Sequence, residues 1–367
     1  MPCIEKSSLV DPGVSVVVPV LNGARWLPDV LAAIRAELAN RPHEILVVDD
    51  GSGDESVEIC RLGGDADLQV VDGPRRGAAA AVNAGLRLAR FHLVAQIDQD
   101  VIVRPGWFAT LVDALRDPRV AAAQGWYITD PAASALARVM SLDLEQRYAR
   151  IDDGRSDHVC TGNVIWRLDA IRRVGGLDET LGYGYDNDLS YRLIAAGYHL
   201  VIRHEAASVH RWRDGVASYL TQQYGFGYGR LDLVARHRNR VGGDAVSPPM
   251  MMAHPVLMAT ALSALLCAGV CGLLSRPVAP WSLAAAGLIG LLFVERAVAG
   301  IVATRRSGDP AALLFPVVHL LRDVAWVAAI ARWLSRRVAG APLAPAHSMQ
   351  PRTADRGAVV MPAAEER

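Results

Sequence analysis

Residues 14–19 read VSVVVP, an almost unbroken β-branched run. Such a run marks a strand buried on both faces, as in a parallel sheet. Asn22 and Gly23 turn the chain, and Trp26, Val30, Ile34 and Leu38 then recur at helical spacing. Residues 44–48 (EILVV) form a second buried strand that ends in Asp49-Asp50-Gly51-Ser52. The spacing predicts a helix over 55–61, a strand over 68–71, a small-residue helix over 77–90 and a strand over 91–97. That last strand ends at Asp98-Gln99-Asp100. Strands separated by helices at this rhythm imply a doubly wound, Rossmann-like α/β domain. Ligands of such sheets bind beyond the carboxyl ends of the strands, where both acidic pairs stand.

Asp98 and Asp100 are one residue apart at a strand-to-loop transition. If the chain bends there, both carboxylates converge on one cation. Oxygen ligation suits Mg²⁺ or Mn²⁺, which bind through one or two carboxylates plus substrate phosphates. A solvated loop is the alternative for so short a pattern. The preceding apolar strand, and Pro105-Gly106-Trp107 after it, favour the cation.

The composition bounds the function. Of 367 residues, 51% are hydrophobic and 21% charged, and Lys+Arg equal Asp+Glu at 38 each. That balance argues against a nucleic-acid partner, which calls for a basic excess, and against a disordered chain. Mean hydropathy is +0.20, and the apolar residues are concentrated. Residues 250–274 contain no Asp, Glu, Lys or Arg. About 18 or more such residues can cross a bilayer as a helix. Residues 277–304 are apolar apart from Glu295 and Arg296. Residues 311–334 carry His319, Arg322, Asp323 and Arg332. Central charges in lipid need partners, so this third segment reads as a packed membrane helix, a re-entrant segment or an interfacial helix. Arg305 and Arg306 follow the second segment and agree with a cytoplasmic loop. Residues 1–13 lack the apolar core of a signal peptide. The expectation is a multi-pass protein of the cell membrane with its first domain facing the cytoplasm. Cys3, Cys60, Cys160, Cys267 and Cys271 show no zinc-type spacing and read as free thiols.

Four blocks carry a resemblance: VSVVVPVLN, EILVVDDGSGDES, GPRRGAAAAVNAGL and VAQIDQDVIVRPGW, in order over 14–107. With CTGNVIWRLDAIRRVGGLDETLGYGYDNDLSYRLIAAGY, beginning at Cys160, they resemble family 2 glycosyltransferases of the GT-A fold. The join QQYGFGYGRLDLVARHR resembles that of bacterial membrane-anchored exopolysaccharide, succinoglycan-type, members. The resemblance covers most of the first 230 residues. It implies that Pro19 and Asn22 border the nucleotide, that Asp49 or Asp50 meets the base, and that Arg76, Gly77 and Asn83 line the nucleotide-sugar. It further implies that Asp98 and Asp100 hold the metal on the sugar diphosphate, with His210 in ASVHRW as a third ligand. Gly162 and Asn163 would shape the acceptor floor. The family block E-D-x-D-L stands here as Tyr185-Asp186-Asn187-Asp188-Leu189. Asp186 aligns with the usual general base, the first acid has become Tyr185, and Asp188 is acceptor-side or a first-turn helix acid. Each residue keeps a structural alternative, as a turn, a cap or a packing group.

The sequence therefore predicts a tail over 1–13 and a catalytic unit over 14–222, with a donor half 14–107 and an acceptor half 108–222. An interfacial amphipathic join over 223–249, a membrane region of two or three helices over 250–335 and a disordered tail over 336–367 follow. The expected activity is inverting, metal-dependent transfer of a sugar from a nucleotide-sugar donor to a hydroxyl acceptor. The expected acceptor is a lipid-linked saccharide, with membrane lipids as neighbours. Ser208 stands where a Q-x-x-R-W motif would need Gln, which favours single additions over polymerisation. A glycolipid or peptide-derived acceptor, a non-catalytic membrane scaffold, and a soluble transferase with an apolar oligomer interface are the alternatives.

Overall fold

The computed structural model describes residues 13–63, 66–151 and 154–340. The expected tails at 1–12 and 341–367, and Cys3 with them, lie outside the described residues. The donor half alternates as its spacing implies: β1 (Val14–Val20), α1 (Leu27–Leu38), β2 (His43–Asp49), α2 (Ser56–Leu62), β3 (Leu68–Asp72), α3 (Ala78–Leu88) and β4 (Leu93–Ile97). Val14, Val16, Val17 and Val18 have no accessible surface. Burying each such side chain contributes about 1.5–3 kcal/mol, which is why β1 sits inside the sheet. Gly85 lets α3 lie close on β1, since a Cβ there would stand 2.5 Å from Val17 Cγ1.

The chain continues through β5 (Val101–Val103), α4 (Trp107–Ala114), β6 (Val120–Ile128), α5 (Ala135–Tyr148), β7 (Arg155–Ser156), β8 (Asn163–Arg167), α6 (Leu168–Arg173), α7 (Tyr185–Ala195) and β9 (His199–His210). One sheet runs in the order β3-β2-β1-β4-β8-β6-β9-β5, with β7 on β9. The doubly wound parallel pattern holds for β1 to β4 and then becomes mixed. β8 runs antiparallel to β4 and β6, β9 runs parallel to β6, and β5 runs antiparallel to β9. Two of these ladders position the chemistry. Ile97 pairs with Asn163, and Val101 pairs with His210. Register is fixed wherever a sheet face is buried, so residues 162–163 and 210 are held on either side of the Asp98–Asp100 turn.

Four α-helices follow among the described residues: α8 (Val216–Arg236), α9 (Pro249–Leu273), α10 (Ala279–Ser307) and α11 (Phe315–Val338). Residues 249–273, 279–307 and 310–338 are each long and apolar enough to cross a membrane. The first two are largely exposed along their length, whereas the third is half buried. Its charges have partners. Arg322 donates to Asp323 at 2.9 Å and meets His254 Nδ1 at 3.1 Å, and His254 Nε2 lies 3.3 Å from Glu295. One polar chain thus runs through α9, α10 and α11.

Two boundaries differ from the expectation. α8 begins at Val216 and crosses residue 222 unbroken, and much of it is interior rather than interfacial. Its glycines explain this. A Cβ at Gly227 would lie 3.0 Å from Trp326 Cα, and one at Gly229 would lie 2.6 Å from Tyr183 Cβ. The run YGFGYG therefore packs α8 between the 183–185 segment and α11. Likewise α11 continues to Val338, past the expected start of the tail. Gly229→Ala is expected to cost about 1–3 kcal/mol by overpacking, read as a lower thermal unfolding midpoint. Gly287→Ala, with nothing within 4 Å of the added carbon, should not lower it.

Candidate active site

The carboxyl ends of β4, β6 and β9 open into a cavity of about 400 Å³. Asp98, Asp100, His210 and Asp186 all line it, together with Tyr127, His158, Cys160, Tyr183 and Arg213. A wider open hollow of about 680 Å³ near Asp54 and Arg61 has no converging groups of this kind.

The backbone holds the acidic turn firmly. Asp98 N–H donates to Gly162 C=O at 3.1 Å, and Arg211 N–H donates to Asp100 C=O at 2.9 Å. Gln99 clamps the turn to the first loop, accepting from Leu21 N–H at 2.8 Å and donating to Leu21 C=O. His210 Nε2 lies 3.4 Å from Asp100 Oδ1, because the β5–β9 ladder sets His210 beside the start of β5. Burial, reinforced by the Asp100 charge, pushes the Asp98 carboxyl up to about 7, although His210 pulls the other way. Burial also opposes the Asp100 charge, but His210 and Arg213 outweigh it and hold that carboxyl below its ordinary value. The set of two carboxylates and an imidazole fits Mg²⁺ or Mn²⁺, and His210 Nδ1 is buried without a hydrogen-bond partner.

Asp186 lies in the first turn of α7, after Gly184 at a φ of 78°. Its Oδ1 accepts from Asn187 N–H at 2.9 Å, and its Oδ2 lies 3.5 Å from His158 Nε2. Tyr185, where the family acid is missing, is pushed well above its ordinary value by burial and so stays neutral. Ligand-type atoms of His158, Cys160 and Asp186 lie within 4.8 Å of one another.

The remaining expected residues sort into a rim and a frame. Pro19, Asn22, Asp49, Asp50, Arg76, Gly77 and Asn83 stand outside the cavity, around the carboxyl ends of β1 and β2. Asn22 accepts from Gly53 N–H at 2.8 Å, and Asp49 accepts from Ser52 N–H at 3.0 Å. Asp50 spends both oxygens on Gly77 and Arg76 N–H, at 2.7 and 3.2 Å. Its role is to hold the turn at Gly77, whose φ is 94°. Arg76 and Asn83 both bond Glu179, at 2.6 and 3.0 Å, so they tie the donor half to the acceptor half.

Two acceptor-side residues are committed to neighbouring groups. Asn163 is fully buried, with its amide bonded to Trp107 Nε1–H and to Ser208 Oγ. It supports the floor from below and does not line it. Asp188 is 4% exposed and pairs with Arg192 and His237 at 2.7 and 2.8 Å. Gly162 is different. At a φ of 88°, it lies so close to Asp98 that an added Cβ would be 2.2 Å from Oδ2.

The sequence reading missed His158, Tyr183, Arg213 and the α5 pair Asp143–Arg147, all of which line the cavity. The spacing of His158 and Cys160, just before the TGN block, was the available signal. Asp143 is buried, but Arg147, His319 and Arg322 outweigh that burial and keep its carboxyl low. Met251, Met252, Val318 and Trp326 bring α9 and α11 to the same cavity.

Residues 15–175 match the description "Glycosyl transferase family 2", and the chain belongs to this family. Among curated relatives, a pre-mycofactocin glycosyltransferase of Mycobacterium tuberculosis (strain ATCC 25618 / H37Rv) is 32% identical over 247 residues, 65% of this chain and 51% of that protein. The chain thus spans about half the length of that relative. The succinoglycan biosynthesis protein ExoA of Rhizobium meliloti (strain 1021) is 27% identical over 347 residues, 88% of this chain and 96% of that protein. Among solved structures, a mannosyltransferase from Pyrobaculum calidifontis in complex with GDP-Man and Mn²⁺ shares the fold. It has a TM-score of 0.56, 19% identity and coverage of 88% of this chain and 87% of that one.

Gly162→Ala tests the acidic turn. The added carbon must displace the Asp98 carboxylate, so Mn²⁺ binding measured by calorimetry is expected to weaken at least about tenfold, the loss of about 1.4 kcal/mol. Unchanged Mn²⁺ affinity in a folded variant would contradict the site.

Proposed function

We propose that this chain is an inverting, non-processive glycosyltransferase. It moves a sugar from a nucleoside-diphosphate sugar to a hydroxyl acceptor. The observation that carries the reading is one cavity holding a cation-type set, Asp98, Asp100 and His210, together with a separate carboxylate, Asp186. A cation bound there supplies positive charge to the diphosphate oxygens. Asp186 takes the acceptor hydroxyl proton as that oxygen bonds to the anomeric carbon. The bond from that carbon to the diphosphate oxygen breaks, and its electron pair stays on the leaving nucleoside diphosphate. Arg213 at the cavity wall offers a second positive charge to the leaving group. Backbone and side chains around Asn22, Asp49 and Gly77 offer the rim on which the nucleotide rests.

The acceptor reading rests on the cavity lining. Met251 and Met252 of α9, with Val318 and Trp326 of α11, give one end of the cavity an apolar wall. That wall belongs to helices long and apolar enough to enter a bilayer. An amphiphilic, lipid-linked saccharide fits such a wall, and the likeness to ExoA over 88% of the chain supports it. We read α9 and α10 as a membrane hairpin, with Arg305 and Arg306 on the cytoplasmic side and α11 beneath the catalytic domain. Pre-mycofactocin or a related small product is the second acceptor reading, favoured by the higher identity of that relative.

Transfer assays on purified protein, with a panel of nucleotide-sugars and Mn²⁺, test the assignment. Asp186→Asn is expected to retain donor binding and lose about 10²- to 10⁴-fold in turnover, the scale of a general base. Asp98→Ala is expected to lose both Mn²⁺ dependence and transfer. Full activity in either variant overturns the corresponding role.

A further inference from the structure

We propose that His158 is a positioning residue for Asp186, holding the carboxylate that takes the acceptor's proton. The inference rests on Asp186 being that base.

The backbone around His158 is fixed at three points. His158 N–H donates to Ser156 Oγ at 3.2 Å, Val159 N–H donates to Ser190 Oγ of α7 at 3.2 Å, and Cys160 N–H donates to Gln124 Oε1 of β6. His158 is 5% exposed, neither ring nitrogen has a hydrogen-bond partner, and Asp186 Oδ2 faces Nε2 at 3.5 Å. A buried imidazole without partners is costly unless a charge faces it. Asp186 supplies that charge from α7. The other titratable groups around the ring are Cys160, itself 3.0 Å from Tyr148 Oη of α5, and Asp244 after α8. Burial alone would strip the ring's proton, but the Cys160 and Asp186 groups outweigh it and raise its pKa. The imidazolium and Asn187 N–H then hold one carboxylate oxygen each. The remaining lone pairs of Asp186 face the cavity, toward the acceptor hydroxyl. His158 keeps its proton throughout transfer, and the acceptor's proton ends on Asp186.

A purely packing role would leave a different energetic signature, so the test is a double-mutant cycle on the full chain. His158→Gln is expected to lower kcat about ten- to a hundredfold, the cost of a misplaced base, with donor KM within about twofold. In an Asp186→Asn background the same change should cost nothing further, because residues acting as a unit are not additive. Wild-type kcat in His158→Gln, or an equal loss in both backgrounds, overturns the proposal. Full activity in Asp186→Asn instead overturns the base assignment beneath it. If His158→Gln does not fold, ¹⁵N spectra of labelled histidine decide. An imidazolium at pH 7 in the parent protein that becomes neutral in Asp186→Asn supports the pairing, and an unchanged charge state refutes it.

Discussion

Asp98, Asp100 and Asp186 line one cavity, and the cost of desolvating a carboxylate there beside another is the constraint on which the rest of the site depends. The sheet gives them no room to separate. Asp98 is bonded through its backbone to Gly162, and the β5–β9 ladder fixes Asp100 beside His210. Crowding and burial leave Asp98 reluctant to ionise near neutral pH. Two carboxylates beside an imidazole are a donor set suited to a divalent cation. Placing Gly162 against the Asp98 carboxylate belongs to the same arrangement, since any side chain there would break it.

The carboxyl-terminal helices share in this construction. Asp143 of α5 lies 3.2 Å from Arg147 and 3.5 Å from His319 of α11, and Gln146 donates to Ala299 C=O of α10 at 3.0 Å. Arg138 reaches Asp309 at 3.4 Å, and Trp333 donates to Asp232 of α8 at 2.8 Å. Buried charges of this kind are tolerated only when paired. The helices are therefore docked on the catalytic domain as a wall of its cavity, a stronger role than a tether. Of the polar groups in 311–334, His319 faces Asp143 of α5, while Arg322 and Asp323 pair with each other and with His254 of α9.

The donor half was legible in the sequence because its strands are local and carry continuous apolar runs. β1 to β4 and the acidic turn follow from periodicity alone. The mixed half was less legible, because β8 and β9 are defined by pairing partners 40 to 109 residues away. Asp50, Asn83, Asn163 and Asp188 resembled ligand contacts by motif, yet their polar atoms are spent on backbone and neighbouring side chains. Motif position reports where a residue sits but not which way its carboxylate is committed. His158 escaped notice because its short spacing to Cys160 is weak by itself, and its partner Asp186 is 28 residues further on. The glycines of α8 serve close packing against Tyr183 and α11, which the aromatic and basic character of the stretch does not reveal.

The measurement that bears most directly on the carboxylate account is calorimetric binding of nucleoside diphosphates with and without Mn²⁺. If the cavity is built to accept a cation and a diphosphate together, one nucleotide should bind with Mn²⁺ present and lose that binding in EDTA. Equal affinity in EDTA would contradict the account.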